Sequence, residues 1–324
     1  MSNLDDIKKV VLPELERFES FYKEALHSDN FLLDKIGLYT LKHKGKQLRP
    51  LFVFLAAKCF GDVNDSTYRA ATFIELLHSA TLIHDDVVDD AAERRGFPSI
   101  NAMYKNKIAV LAGDYLLSKG MMIALDNHDY QMLDMISETV RNMSEGEIFQ
   151  LGKAKDMSIS EDDYYQIIEK KTASLIASCC AIGAVSTGAS AEDIQTIKQF
   201  GISAGIAFQI RDDIFDYQPS NHSGKGYGND IKEHKMTLPL IHLLKSSSAL
   251  ERTLIISKIR LSGKRKKTID SIIKLANEKN SLEYSEEKMN FYAQQAEAQL
   301  DKIKNSEAKE ALRELLNYCI KRQK

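Results

Sequence analysis

Proline placement sets the first limit on what this chain can fold into. The five prolines stand at positions 13, 50, 98, 219 and 239, so residues 99–218 and 240–324 run without the residue that most strongly interrupts helices. Within the first of these stretches Met132, Met135, Ile136, Thr139, Val140 and Met143 recur at helical spacing, and nowhere is a period-two alternation sustained. The pattern predicts an all-α chain. Apolar residues make up 44% of the 324, enough for a large core, and no Gly/Ser-rich linker divides them; residues 224–228 are the loosest stretch. The expected architecture is one large helical bundle around a central cavity, a single domain over residues 1–324.

Composition removes several functions. Lys plus Arg (44) nearly balance Asp plus Glu (46), so no electrostatic footprint for nucleic acid exists. No uninterrupted apolar run approaches the roughly 20 residues that cross a bilayer. The first ten residues carry acids where a signal peptide would be apolar, which predicts a cytoplasmic protein. Cys59, Cys179, Cys180 and Cys319 show neither C-x-x-C nor metal-ligand spacing and read as reduced, partly buried thiols. Residues 1–40 read as one or two amphipathic helices, with Leu15, Phe18, Tyr22 and Leu26 along one side, for packing or a dimer contact. The basic run Lys264 to Lys267 is most simply a solvated turn; its alternative is attraction to an anionic membrane surface.

Against this plain background stands His84 to Gly96, H-D-D-V-V-D-D-A-A-E-R-R-G, which follows the apolar segment from Phe73 to Ile83. On a helix Asp85 and Asp89 stack one turn apart, with Asp86 beside them. Like charges at that spacing repel unless something strongly positive lies between them. Oxygen-only ligands point to a hard cation such as Mg²⁺. The pattern returns at Asp212, Asp213 and Asp216, again ending an apolar segment. One such motif is weak, since a solvated acidic turn looks the same. Two facing one another would form a cage of carboxylates that, with several Mg²⁺ (about three), binds a diphosphate, because Mg²⁺ prefers one or two protein carboxylates together with phosphate oxygens and water. Basic residues must complete the neutralisation, and Arg94, Arg95, Lys171, Lys225 and Lys235 are the candidates.

At these residues the sequence resembles the trans-type (head-to-tail) polyprenyl diphosphate synthases, and their medium- and long-chain members in particular. The first motif reads L-I-H-D-D-V-V-D-D-A-A-E-R-R-G-F-P-S and the second F-Q-I-R-D-D-I-F-D. Around them K-G-K-Q-L-R-P at 44–50, E-G-E-I-F-Q at 145–150, K-T-A at 171–173 and D-I-K-E-H-K-M-T-L-P at 230–239 follow in the family's order, so the likeness spans about residues 40–245. It implies a large helical bundle, usually a homodimer.

The resemblance also implies roles. Lys46, Arg49 and His78 fall where the family holds the diphosphate of isopentenyl diphosphate; without it, Lys42 to Pro50 is a surface turn and His78 a satisfied core histidine. Arg94 would serve the allylic diphosphate (farnesyl or geranylgeranyl) and Arg95 the isopentenyl one, pointing apart as consecutive helical residues do. Lys171 would hold the leaving diphosphate, while Thr172 and Gln209 turn oxygen dipoles towards the developing cation. Lys225 and Lys235 flank a glycine-rich segment able to close over the diphosphate. Glu145, Glu147 and Gln150 are taken as supporting structure, and so is His84. The chain departs from the pattern at Lys44 and His234, where glycines are usual, and at Gln47, where arginine is common.

The implied chemistry is departure of an allylic diphosphate, attack of the isopentenyl double bond on the carbocation, and loss of a proton, without a histidine or glutamate base and with water kept out. In the family the fifth and fourth residues before the first aspartate line the product tunnel, and bulky aromatics there stop growth early. Here they are Ala80 and Thr81, both small, which implies repeated additions beyond C20. Thr81, Leu77 and Ile74 share a face with Asp85, and Met121, Met122, Leu125 and Ile136 are the candidates for the tunnel floor. A shorter farnesyl or geranylgeranyl synthase is the main alternative. A terpene cyclase would carry Asn, Ser or Thr with Glu in the second motif, a head-to-head synthase would space its acids differently, and a non-catalytic partner subunit should lack some of these aspartates or lysines.

Overall fold

The structure, a computed structural model, describes residues 4–154, 159–218 and 227–321. Helices follow one another as α1 (Leu4–Lys9), α2 (Leu12–Leu26), α3 (Phe31–Lys42), α4 (Leu48–Phe60) and α5 (Asp65–Val88). A short hairpin of β1 (Glu93–Arg94) and β2 (Phe97–Pro98) leads to α6 (Ile100–Asp126), α7 (Tyr130–Ala154) and α8 (Glu161–Ile168). A π-helical turn, Glu169–Ala173, joins α8 to α9 (Ser174–Ser186), and α10 (Ala191–Asp216) comes next. The remainder is α11 (Asn229–Lys232), α12 (Leu238–Lys245), α13 (Ala249–Ser262), α14 (Lys266–Glu278), α15 (Ser281–Leu300) and α16 (Glu307–Lys321). The class is all-α, as periodicity predicts.

Caps set where the long helices begin. Asn64 and Thr67 form a reciprocal capping box at α5, Ser99 accepts from the Ala102 amide at α6, and Ser190 accepts from Asp193 at α10. Two helices form the middle of the molecule. Leu51 to Ala57 of α4 and Ala177 to Ala184 of α9 are buried on every side, as all-round apolar helices must be. They pack on one another, and α5, α7, α10 and α16 surround them on one continuous core. Glycines allow the closest approach: a Cβ on Gly205 of α10 would lie 2.5 Å from the Ala173 Cα, so only hydrogen at that position lets α10 press on the π turn.

Three sequence expectations change. The first forty residues hold three helices, α1 to α3, where one or two were expected. Arg94 and Arg95 are not helical: α5 stops at Val88, Asp90 turns at φ 47°, and Arg94 lies in β1 while Arg95 sits in the hairpin turn at φ 55°. Gly96 and Pro98 supply the chain reversal and bar a helix. The expected lack of a long uninterrupted apolar run holds: among the described residues α6 is long and apolar enough to cross a bilayer, but charges break it. Met122 and Leu125 stand 48% and 40% exposed on its outer side, so neither forms a tunnel floor.

Candidate active site

The first acidic motif sits where α5 runs out. Asp85 is half-buried in the last turn; burial lifts its carboxyl above the ordinary range, Lys171 opposes this, and Glu147 and Asp89 add to it. Asp89 caps the helix and is exposed. Asp86 turns inward, where the Arg94 guanidinium binds it at 2.7 and 2.8 Å. Arg94, assigned to a diphosphate, is thus held by one of the carboxylates.

The second motif ends α10 and is braced more heavily. Tyr164 Oη donates to Asp213 at 2.7 Å and Gln209 Nε2 at 2.9 Å. The amides of Asn229 and Asp230 donate to the Asp216 carboxylate at 2.9 and 2.8 Å. Burial pushes Asp213 above the usual carboxylate range, the two hydrogen bonds oppose it, and Asp212 adds repulsion. Asp230 is lifted by burial, then by Asp213 and Asp216.

Lysines join the two halves. Burial lowers the Lys235 ammonium, but its 2.6 Å contact with Glu233, then the charges of Asp230 and of Asp89 in the other motif, hold it above the ordinary lysine value. Lys171 and Thr172 lie in the π turn, a distortion that recurs at functional sites. They line both a cavity of about 560 Å³ bounded by Asp212, Asp213, Asp216 and Lys235 and a cavity of about 490 Å³ bounded by Asp85, Thr81 and Arg49. Thr172 Oγ1 donates to Gln209 Oε1 at 2.9 Å, extending the chain of hydrogen bonds to Asp213 and Tyr164.

A third recess beside the first motif is lined by Glu75, His78, Asp86, Arg94 and Arg95. Arg95 Nη1 donates to the His43 carbonyl at 3.1 Å, and a Cβ on Gly45 would strike its guanidinium at 2.6 Å, so the glycine admits Arg95 to the loop before α4. Burial, then Arg49, Arg95 and Arg94, drives His78 well below its ordinary pKa, which makes it a neutral imidazole. Arg49 Nε and Glu75 Oε2 are buried without a partner. Unpaired buried groups of this kind are costly unless a ligand meets them.

Not every candidate converges. Lys46 is exposed and bonded to Tyr318 Oη at 3.0 Å, beside the recesses rather than in their lining, which includes its neighbour Gly45 and, in the 490 Å³ cavity, Cys319. Lys225 lies outside the described residues. Thr81 faces the 490 Å³ cavity, whereas Ala80 is 1% exposed and absent from its lining. Glu147 and Gln150, taken as mere support, both reach Lys171: Glu147 as an ion pair and Gln150 at 3.3 Å. His84 points to α6, 3.2 Å from the Val110 carbonyl. Sequence reasoning missed Tyr164, Glu75 and Asp230; Asp230 stood inside a quoted motif, while the other two carried no local signal.

Metal fit rests on the donors. Among the described residues no three acidic, histidine or cysteine side chains are grouped to hold an ion unaided. Carboxylates that raise one another's pKa, without nitrogen or sulfur donors, suit a hard divalent ion that takes its remaining ligands from phosphate and water.

A family model described as "Polyprenyl synthetase" matches residues 30–276. The octaprenyl diphosphate synthase of Haemophilus influenzae is 32% identical over 323 residues, covering 99% of this chain and 98% of the relative. A polyprenyl synthase from Caulobacter crescentus, solved with calcium and isoprenyl diphosphate, superposes with a TM-score of 0.92 at 28% identity, covering 99% and 98% of the two chains. A geranylgeranyl pyrophosphate synthase from Bacteroides thetaiotaomicron gives 0.83 at 34% identity, with 98% of each chain covered.

Proposed function

The chain belongs to the polyprenyl synthetase family, and on that premise we propose that it is a Mg²⁺-dependent trans-prenyltransferase that adds isopentenyl units repeatedly to an allylic diphosphate, farnesyl or geranylgeranyl, to give products beyond C20. The carrying observation is that two acidic helix ends open onto cavities sharing Lys171 and Thr172. Calcium and isoprenyl diphosphate bound together by a structural relative support the pairing of divalent ion and diphosphate.

In this reading Asp85, Asp86, Asp89, Asp212, Asp213 and Asp216 hold the ions. Magnesium, when bound, supplies positive charge to the departing diphosphate. Lys171, Lys235, Lys225 and Arg94 add fixed cationic charge at the same place. Arg49, Arg95 and Lys46 bind the isopentenyl diphosphate, and neutral His78 donates to it. The unpartnered Arg49 Nε supports that assignment. Thr172 and Gln209 present oxygen to the allylic cation. Residues around Thr81 keep the growing chain dry, and no side-chain base is needed because the released diphosphate can take the proton.

Two further properties belong to this reading. A second copy covering α6 would account for its exposed Val110, Leu111, Met122 and Leu125, as a homodimer requires. Four unpaired cysteines suit a reducing cytoplasm. Incubation with isopentenyl diphosphate, a farnesyl or geranylgeranyl primer and Mg²⁺, with chromatographic sizing, tests the proposal. Prenyl diphosphates longer than C20 are expected. Products that never pass C20 remove the long-chain reading, and a cyclic hydrocarbon removes the whole.

A further inference from the structure

α13 buries one side, through Ile255 and Ile259, yet its opposite side is apolar too. Leu250, Leu254 and Leu261 are 75%, 55% and 86% exposed. At about 100° per residue they fall within roughly 40° of one another, a stripe facing solvent that Ser257 interrupts between Leu254 and Leu261. A surface helix normally puts polar residues there.

Charge is segregated in the same place. Between Ala249 and Asp270 seven Lys and Arg stand against two acids, a net +5 in a chain whose formal charge is −2. Both acids are already engaged: Glu251 closes the capping box with Ser248, and Asp270 accepts from Tyr227 Oη at 2.5 Å. Lys264, Arg265, Lys266 and Lys267 are exposed and, among the described residues, have no ion pair. This basic turn abuts the segment that supplies Asp230 and Lys235: a Cβ on Gly263 would lie 3.3 Å from the Ile231 carbonyl, and one on Gly228 2.2 Å from Ile269.

We infer that α13 and the basic turn after it form a peripheral membrane-docking surface, with the three leucines entering the headgroup boundary of an anionic lipid layer and the cations contacting its phosphates. Charge selects this occupant over a second copy. A two-fold interface would set two +5 patches against each other, whereas an anionic bilayer complements both stripe and turn. The inference rests on the long-chain reading for its purpose, because such a product is insoluble in water, but not for its evidence. It sets the stretch that carries Asp230 and Lys235 beside the membrane that would receive the product.

Flotation with phosphatidylcholine vesicles, with and without phosphatidylglycerol, at low and high salt, tests it. The full chain should float with the anionic vesicles, and about tenfold less with neutral ones or in high salt. The triple variant Leu250→Ser, Leu254→Ser, Leu261→Ser and the quadruple variant Lys264→Gln, Arg265→Gln, Lys266→Gln, Lys267→Gln should each lose flotation about tenfold or more, with turnover of a short soluble primer unchanged. A wild-type chain that stays at the bottom of the gradient, or variants that float equally well, overturn the proposal. So does a leucine variant that keeps flotation but changes the sedimenting mass, which would give the face to a protein contact. Elongation measured without vesicles reports on the catalytic reading separately.

Discussion

The two acidic motifs are near copies in sequence and unlike in construction. Asp213 and Asp216 end α10 inside a brace of Tyr164, Gln209 and the amides of Asn229 and Asp230, with the half-buried Asp212 beside them. Asp85 and Asp89 end α5 towards solvent, and the buried Asp86 between them has its strong partner in Arg94 on a two-residue strand. A motif of three aspartates therefore fixes residue types and leaves rigidity to whatever the rest of the chain brings up to it. The second motif is held before any ligand arrives. The first must let go of Arg94, or share it, when a diphosphate enters.

Metal removal should have the largest effect, because it disables both motifs at once: chelation should abolish turnover, and Asp85→Asn and Asp212→Asn should each lower kcat/KM by about a hundredfold or more, measured by isopentenyl incorporation. If only one substitution matters, the motifs do not act together. The braces separate them next. Tyr164→Phe removes a hydrogen bond to a buried carboxylate, at a cost of about 1–3 kcal/mol, and should reduce turnover by roughly ten- to hundredfold. Arg94→Gln should instead raise KM for the allylic substrate, since Asp86 then lacks its partner only until ions bind.

A smaller change is expected beneath the first motif. Thr81→Phe, facing the cavity, should shorten the product with turnover retained. Ala80→Phe has no space and should cost about 1–3 kcal/mol in stability by overpacking, read as a lower Tm. The smallest effect concerns His78. Its folded pKa lies below the ordinary 6.5, so the unfolded chain takes up a proton that the folded chain refuses, and the stability this histidine allows above that value is lost as pH falls below it. His78→Gln should flatten the fall in Tm between about pH 7 and 5.

What could be read from sequence was what repeats locally. Helix class follows from the apolar spacing at Met132 to Met143, and both acidic helix ends follow from charge placed after an apolar run. The hairpin is hidden because two arginines following an acidic helix end look like its continuation, although Gly96 and Pro98 carry a turn signal. Tyr164 and Glu75 are invisible because what surrounds them comes from far along the chain, the carboxylate of Asp213 for one and the unbonded charges of Arg49 and Arg95 for the other, and neither position differs in composition from an ordinary helix. Gln150 and Glu147 were discounted for the same reason: on a helix facing solvent they would be unremarkable, and only the packing of α7 on the π turn brings them to Lys171.

That turn carries a further consequence. The Ser174 amide reaches back five residues to the Glu169 carbonyl, so the rod from α8 to α9 holds one residue more than a regular helix would use. Deleting a single residue there would tighten the coil and improve its hydrogen bonding, yet swing the upstream half by about 100° and carry Lys171 away from the cavity. The same rotation would draw Tyr164, Ile167 and Ile168 out of the core, so the looser coil is what lets α8 stay packed while the lysine stays at the cavity.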